Sequence, residues 1–159
     1  MCRAHRLRSA QSIKTPFGLN ALPALEPHKS APEEAIIFSQ AIPILRIFDL
    51  EKAHQFYLGF LGFTVDWEHR YGDNFPLYLQ VSREGLKLHL SEHAGDATPG
   101  SNMCVPMTGI RAFHRELADQ DYRYMKPQLQ HMGDRLELQV TDPFGNRIRF
   151  MEHAEGSAP

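Results

Sequence analysis

The stretch AIPILRIFDLEKAHQFYLGFLGFTVDWE, residues 41–68, decides the fold. Ala41–Phe48 is apolar and β-branched, the composition of a strand. Asp49 follows as an N-cap, and Ala53, Phe56, Tyr57 and Phe60 recur every three or four residues, the spacing of one buried helical face. Gly59 and Gly62 supply the permissive backbone that ends the helix, and a second strand runs over 63–69.

Toward the C-terminus, strands are expected over 75–82 and 85–92. In the second of these, Leu86, Leu88 and Leu90 alternate with Lys87, His89 and Ser91, giving one apolar and one polar face. Residues 93–101 form a Gly/Pro/Asp/Ser loop. The order then repeats: a strand over 102–107, a helix over 109–121 with Ile110, Phe113 and Leu117 at core spacing, and strands near 127–131, 134–142 and 146–152. Pro143-Phe144-Gly145-Asn146 is the turn between the last two. The reading is an α+β fold, βαβββ twice with starts roughly 60 residues apart. Neither unit closes a core alone, so together they form a curved, mostly antiparallel sheet around a cleft.

Toward the N-terminus, Ile36-Ile37-Phe38 reads as a short strand or a packed arm, and Pro16, Gly18, Pro23, Pro27 and Pro32 mark a linker. Residues 1–25 carry Arg3, Arg6, Arg8 and Lys14 with no acid, whereas 26–159 carry thirteen basic and nineteen acidic residues, a charge of −6. We therefore divide the chain into a basic, Pro-rich extension or linker (1–37), a domain (38–153) and a tail (154–159). No apolar run follows the arginines, so the extension is not read as a secretory signal; a solvated leader and an organellar transit peptide both fit its composition. At 42% hydrophobic and 23% charged residues the composition is that of a globular protein. Cys2 and Cys104 are too few for a disulfide framework or a thiolate zinc site, and a cytoplasmic location is expected.

The quoted stretch resembles the opening βαβ of the vicinal-oxygen-chelate superfamily, which includes glyoxalases, dioxygenases and bleomycin resistance proteins. VTDPFGNRIRF (140–150) resembles that superfamily's closing hairpin, an Asp-Pro-x-Gly-Asn motif followed by an amphipathic strand. The apolar-Pro-apolar first strand is similar to that of bleomycin resistance proteins. The resemblance spans about 40–153 and implies the fold more than the chemistry, since one fold hosts many functions. In the superfamily's enzymes a divalent metal is held by a His in the first strand, a His opening the second repeat and a Glu in the last strand. Carried onto this chain, those positions are Ile42, Asn102 and Arg149. An isoleucine has no donor atom, a neutral Asn is a poor ligand and a guanidinium repels a cation, so no metal and no other cofactor is expected.

Strand parity then places Ile42, Ile44, Arg46, Trp67 and His89 in the cleft with Asn102, Cys104, Glu137, Gln139 and Arg149, and Tyr78 adds aromatic surface. Alternatives stay open for several of these. Trp67 also reads as an ordinary core residue, Cys104 as a small buried hydrophobe, and Glu137 with Arg149 as an ion pair across the last hairpin. Cys104 has no evident activating partner, and neither a phosphate loop nor a nucleophile elbow is present. An acidic domain is a poor partner for nucleic acid, and no stretch is long and apolar enough to span a membrane. The resemblance implies non-enzymatic binding of a bleomycin-type or other cationic aromatic small molecule, such as a glycopeptide antibiotic, in a cleft of a homodimer, with antibiotic resistance as the outcome. The alternatives are a superfamily enzyme (lyase, isomerase or oxygenase) with a displaced metal site, and an interaction module using the basic extension.

Overall fold

The computed structural model describes residues 35–153; the basic extension up to residue 34 and the tail 154–159 lie outside the described residues. The chain divides into two units, Met1–Phe38 and Ser39–Pro159. Of the first, only 35–38 are described. They have no regular secondary structure, so Ile36-Ile37-Phe38 is not a strand.

In the second unit the βαβββ order occurs twice. The first repeat comprises β1 (Ile44–Arg46), a helix α1 (Leu50–Ala53, continued by His54–Phe60), β2 (Thr64–His69), β3 (Tyr78–Arg83) and β4 (Leu86–Ser91); the second comprises β5 (Asn102–Pro106), α2 (Ile110–Asp119), β6 (Leu129–Met132), β7 (Arg135–Thr141) and β8 (Arg147–His153). Each repeat contributes its own four-stranded mixed sheet, ordered β1-β4-β3-β2 and β5-β8-β7-β6. Both sheets have a parallel first pair, β1 with β4 and β5 with β8, and antiparallel pairs elsewhere. β1 is shorter than the apolar run predicts because Pro43 has no N–H to give a ladder; only its carbonyl takes part, accepting from His89 N at 2.9 Å.

The α1 helix begins as expected, with Asp49 Oδ1 accepting from Lys52 N at 3.0 Å, but only Leu50–Ala53 is α-helical. The continuation His54–Phe60 is π-helical and encloses Gly59, while Leu61 N donates to Phe56 O at 2.9 Å. The wider turn lets Phe56, Tyr57, Phe60 and Leu61, all almost fully buried, enter the core together. Gly62 then takes a left-handed φ of 70°, and a Cβ there would meet the Arg83 guanidinium at 2.8 Å. That guanidinium is fixed by Leu61 O and by Glu116 of α2 at 2.8 Å.

One core cluster joins both repeats, taking in Leu79, Val81, Leu88 and Leu90 from the first sheet and Leu138, Val140, Ile148 and Phe150 from the second. The Asp142-Pro143-Phe144-Gly145-Asn146 turn ties the repeats together by polar contacts. Asp142 Oδ1 accepts from Phe144 N (2.9 Å) and Asn146 N (2.7 Å). Its Oδ2 accepts from Tyr57 Oη and Asn146 Nδ2, both at 2.7 Å, and Asn146 Nδ2 also reaches Arg46 O at 2.9 Å. Burial pushes the Asp142 carboxyl up from its usual range, and burial followed by the Asp142 charge pushes Tyr57 well above its own.

Candidate functional site

Each sheet presents one face to the core and one face away from it. On the outer face of the first sheet, alternation along β3 turns Tyr78, Gln80 and Ser82 to the side opposite buried Leu79 and Val81. Along β4, His89 lies between buried Leu88 and Leu90, and β1 sets Ile44 in register with it. The edge strand β2 carries a bulge between Val65 and Trp67, after which Trp67 pairs with Gln80. Trp67 therefore lies on this face, 42% exposed, and not in the core.

These residues form an aromatic wall. The Trp67 and Tyr78 rings stack at 5.9 Å with an interplanar angle of 11°, and His89 meets Trp67 edge-on at 5.3 Å. Tyr78 Oη lies 2.7 Å from His89 Nδ1, His89 Nε2 lies 3.0 Å from Gln80 Oε1, and Gln80 Nε2 donates to Asp66 Oδ2 at 2.6 Å. Ser82 Oγ donates to the other Asp66 oxygen at 2.7 Å. The Ser82 hydroxyl and then the Gln80 amide hold Asp66 below the usual carboxylate value, whereas burial lowers His89 and raises Tyr78. At neutral pH the wall thus holds an ionised Asp66, a neutral His89 and a protonated Tyr78.

The outer face of the second sheet gathers Glu137, Gln139 and Arg149. Arg149 Nε donates to Gln139 Oε1 at 3.2 Å and stands 3.8 Å from Glu137 Oε1, so the cross-hairpin ion pair is present. Cys104 is paired in register with Arg149 and is exposed, which corrects the reading of it as a buried hydrophobe. Asn102, also exposed, pairs with Arg147 further along the same strand. Arg46 stands apart from both sets: its guanidinium donates to Ile47 O and Ser91 O and lies over the Phe48 ring at 4.8 Å. Among the described residues no hydrogen bond or ion pair links the wall of the first sheet to the cluster on the second.

The residues do not fit a divalent metal. Ile42 offers a hydrocarbon side chain, and Arg149 brings a positive charge already engaged by Gln139 and Glu137. Among the described residues no three His, Cys, Asp or Glu side chains converge on one point. Glu152 has a structural task, since its two carboxylate oxygens accept from Gly109 N (2.8 Å) and Ile110 N (2.9 Å) and cap α2 from β8. Sequence reasoning missed Asp66, Gln80 and Ser82. Gln80 and Ser82 share the parity of Tyr78 and were open to it; in β2 the bulge leaves Asp66 and its neighbour Trp67 on one side, which regular alternation does not give.

The chain matches the model of a family described as glyoxalase superfamily protein over residues 29–157. No curated protein matches it in sequence. Among solved structures, it is similar to a glyoxalase family protein from Bacillus anthracis, with TM-score 0.56 and 21% identity over 76% of this chain and all (100%) of that one. A bleomycin-binding protein in complex with bleomycin gives TM-score 0.54 and 19% identity, over 74% of this chain and 100% of the other. TnmS3, an antibiotic binding protein from Streptomyces sp. CB03234, gives 0.57 and 18%, over 76% and 100%. At these identities the likeness is one of fold.

Proposed function

This chain belongs to the glyoxalase superfamily, and from that premise we propose that it binds a planar, cationic small molecule of bleomycin type without transforming it. The observation that carries this reading is the wall of Trp67, Tyr78 and His89, with Trp67 42% exposed on a sheet face. Exposed flat rings backed by a carboxylate suit a flat cation, which gains stacking and charge attraction together. Ile42 and Arg149, a hydrocarbon and a cation at positions where the resemblance implies metal ligands, favour binding over metal-dependent chemistry.

The functional form is a homodimer in the cytoplasm, in which a second copy supplies the facing wall of the cleft. Ile42, Ile44 and Trp67 are 39%, 38% and 42% exposed in the single chain, an apolar surface that a second copy would cover. Trp67 is the only tryptophan, so its emission reports on the wall alone. Titrating bleomycin into the full chain should give a saturable change in that emission. An unchanged spectrum up to high micromolar drug would overturn the reading.

A further inference from the structure

We infer that the chain of groups running from Asp66 to Tyr78 fixes the Tyr78 hydroxyl as a hydrogen-bond acceptor toward the ligand, so that the wall selects planar ligands carrying an N–H or O–H donor on the edge beside Tyr78. The inference deepens the proposed binding role and rests on it.

The direction of every bond follows from its first member. An ionised carboxylate only accepts, so the Gln80 atom 2.6 Å from Asp66 Oδ2 is the amide nitrogen, and Ser82 pins the other carboxylate oxygen in the same sense. The Gln80 carbonyl therefore faces His89 and accepts, which requires a proton on His89 Nε2 at 3.0 Å. A neutral imidazole with its proton on Nε2 has a bare Nδ1, and among the described residues its partner is the Tyr78 hydroxyl, 2.7 Å away, which must donate. The single hydroxyl proton of Tyr78 is spent inward, and its free lone pair is what a ligand meets. Burial favours the neutral imidazole that this arrangement needs.

Protonation of His89 reverses the last bond. The cation donates from Nδ1 as well, Tyr78 must accept, and its hydroxyl proton turns outward. The titratable and charged groups around His89 are Tyr78 and, through Gln80, Asp66 from the strands beside it, Lys87 on its own strand, and Arg46 two residues beyond Ile44; Asp96 and His69 lie near Tyr78. Arg46 is held by backbone carbonyls, leaving the His89 proton as the variable that sets the polarity of Tyr78.

The test uses the full chain and two matched probes, indole and benzofuran, which share a shape but differ in that only indole donates from its ring edge. At about pH 8, above the ordinary histidine range, indole should bind about fivefold more tightly, the effect of one neutral hydrogen bond. That preference should vanish at a pH below the His89 midpoint. Nitrogen-15 spectra of His89 should show the Nε2–H tautomer, and Gln80→Met should produce a tautomer mixture and weaken the indole preference. Asp66→Ala, which touches neither ring, should do the same and guards against a folding defect in the first variant. An Nδ1–H tautomer in the unmodified chain overturns the inference. So does equal binding of the two probes at about pH 8 where bleomycin still shifts Trp67 emission; there the binding role survives. If neither the probes nor bleomycin bind, the binding role falls and this inference falls with it.

Discussion

Trp67 stacks on Tyr78 and meets His89 edge-on while leaving 42% of its surface exposed, so its ring is available to a partner. Trp67→Ala should weaken bleomycin binding by about 1 to 3 kcal/mol, whereas Trp67→Phe, which keeps a flat face, should lose much less; calorimetric titration of the three proteins separates the two. Asp142 is the second residue with a definite expectation. Its folded pKa is raised, so between the unfolded carboxylate value and that raised value the native state holds more protons than the unfolded state. Its contribution to stability therefore falls as pH rises through that window and is level above it. Denaturant melts at several pH values should show this slope in the unmodified chain and its loss in Asp142→Asn. At this scale the sequence was informative where alternation is regular: the polar face that carries His89 between Leu88 and Leu90 follows from parity along β4, whereas Trp67 faces outward only because of the bulge in β2. That Asp66 and Trp67 share one side was not legible, because a bulge breaks the alternation and leaves no compositional mark.

The N-cap of helix α2 is Gly109, which has no side chain to cap with, and the N–H groups of Gly109 and Ile110 are taken by Glu152 from β8. Glu152→Ala should cost about 1 to 2 kcal/mol of stability, as loss of an N-cap does, measured by urea unfolding; Glu152→Gln, which still offers one oxygen, should lose less. Nothing local in the sequence announced this cap, since it comes from a strand more than forty residues away. Element order, by contrast, was legible throughout, because hydrophobic spacing and turn residues are local signals. The departures have local causes as well: Pro43 shortens β1, and four bulky buried side chains widen α1 into a π-helix that a 3.6-residue spacing does not anticipate. The expected strands reappear as two four-stranded sheets, one per repeat, joined through one core.

At the scale of the whole molecule, residues 26–159 carry a charge of −6, which favours a cationic ligand over an anionic one. Affinity for bleomycin should therefore fall as salt is raised from low to physiological ionic strength, in a series of emission titrations, because the attraction is partly Coulombic. Sedimentation at tens of micromolar should give a dimer, since pairing would cover Ile42, Ile44 and the wall around Trp67; a monomer at all concentrations contradicts the shared cleft. The proposed role requires the chain to hold a drug and leave it intact. Equilibrium dialysis against bleomycin, followed by unfolding of the protein and weighing of the released drug by mass spectrometry, tests it most directly. Drug should be retained in proportion to protein and released with its mass unchanged; drug that is not retained, or that emerges with an altered mass, contradicts binding without transformation.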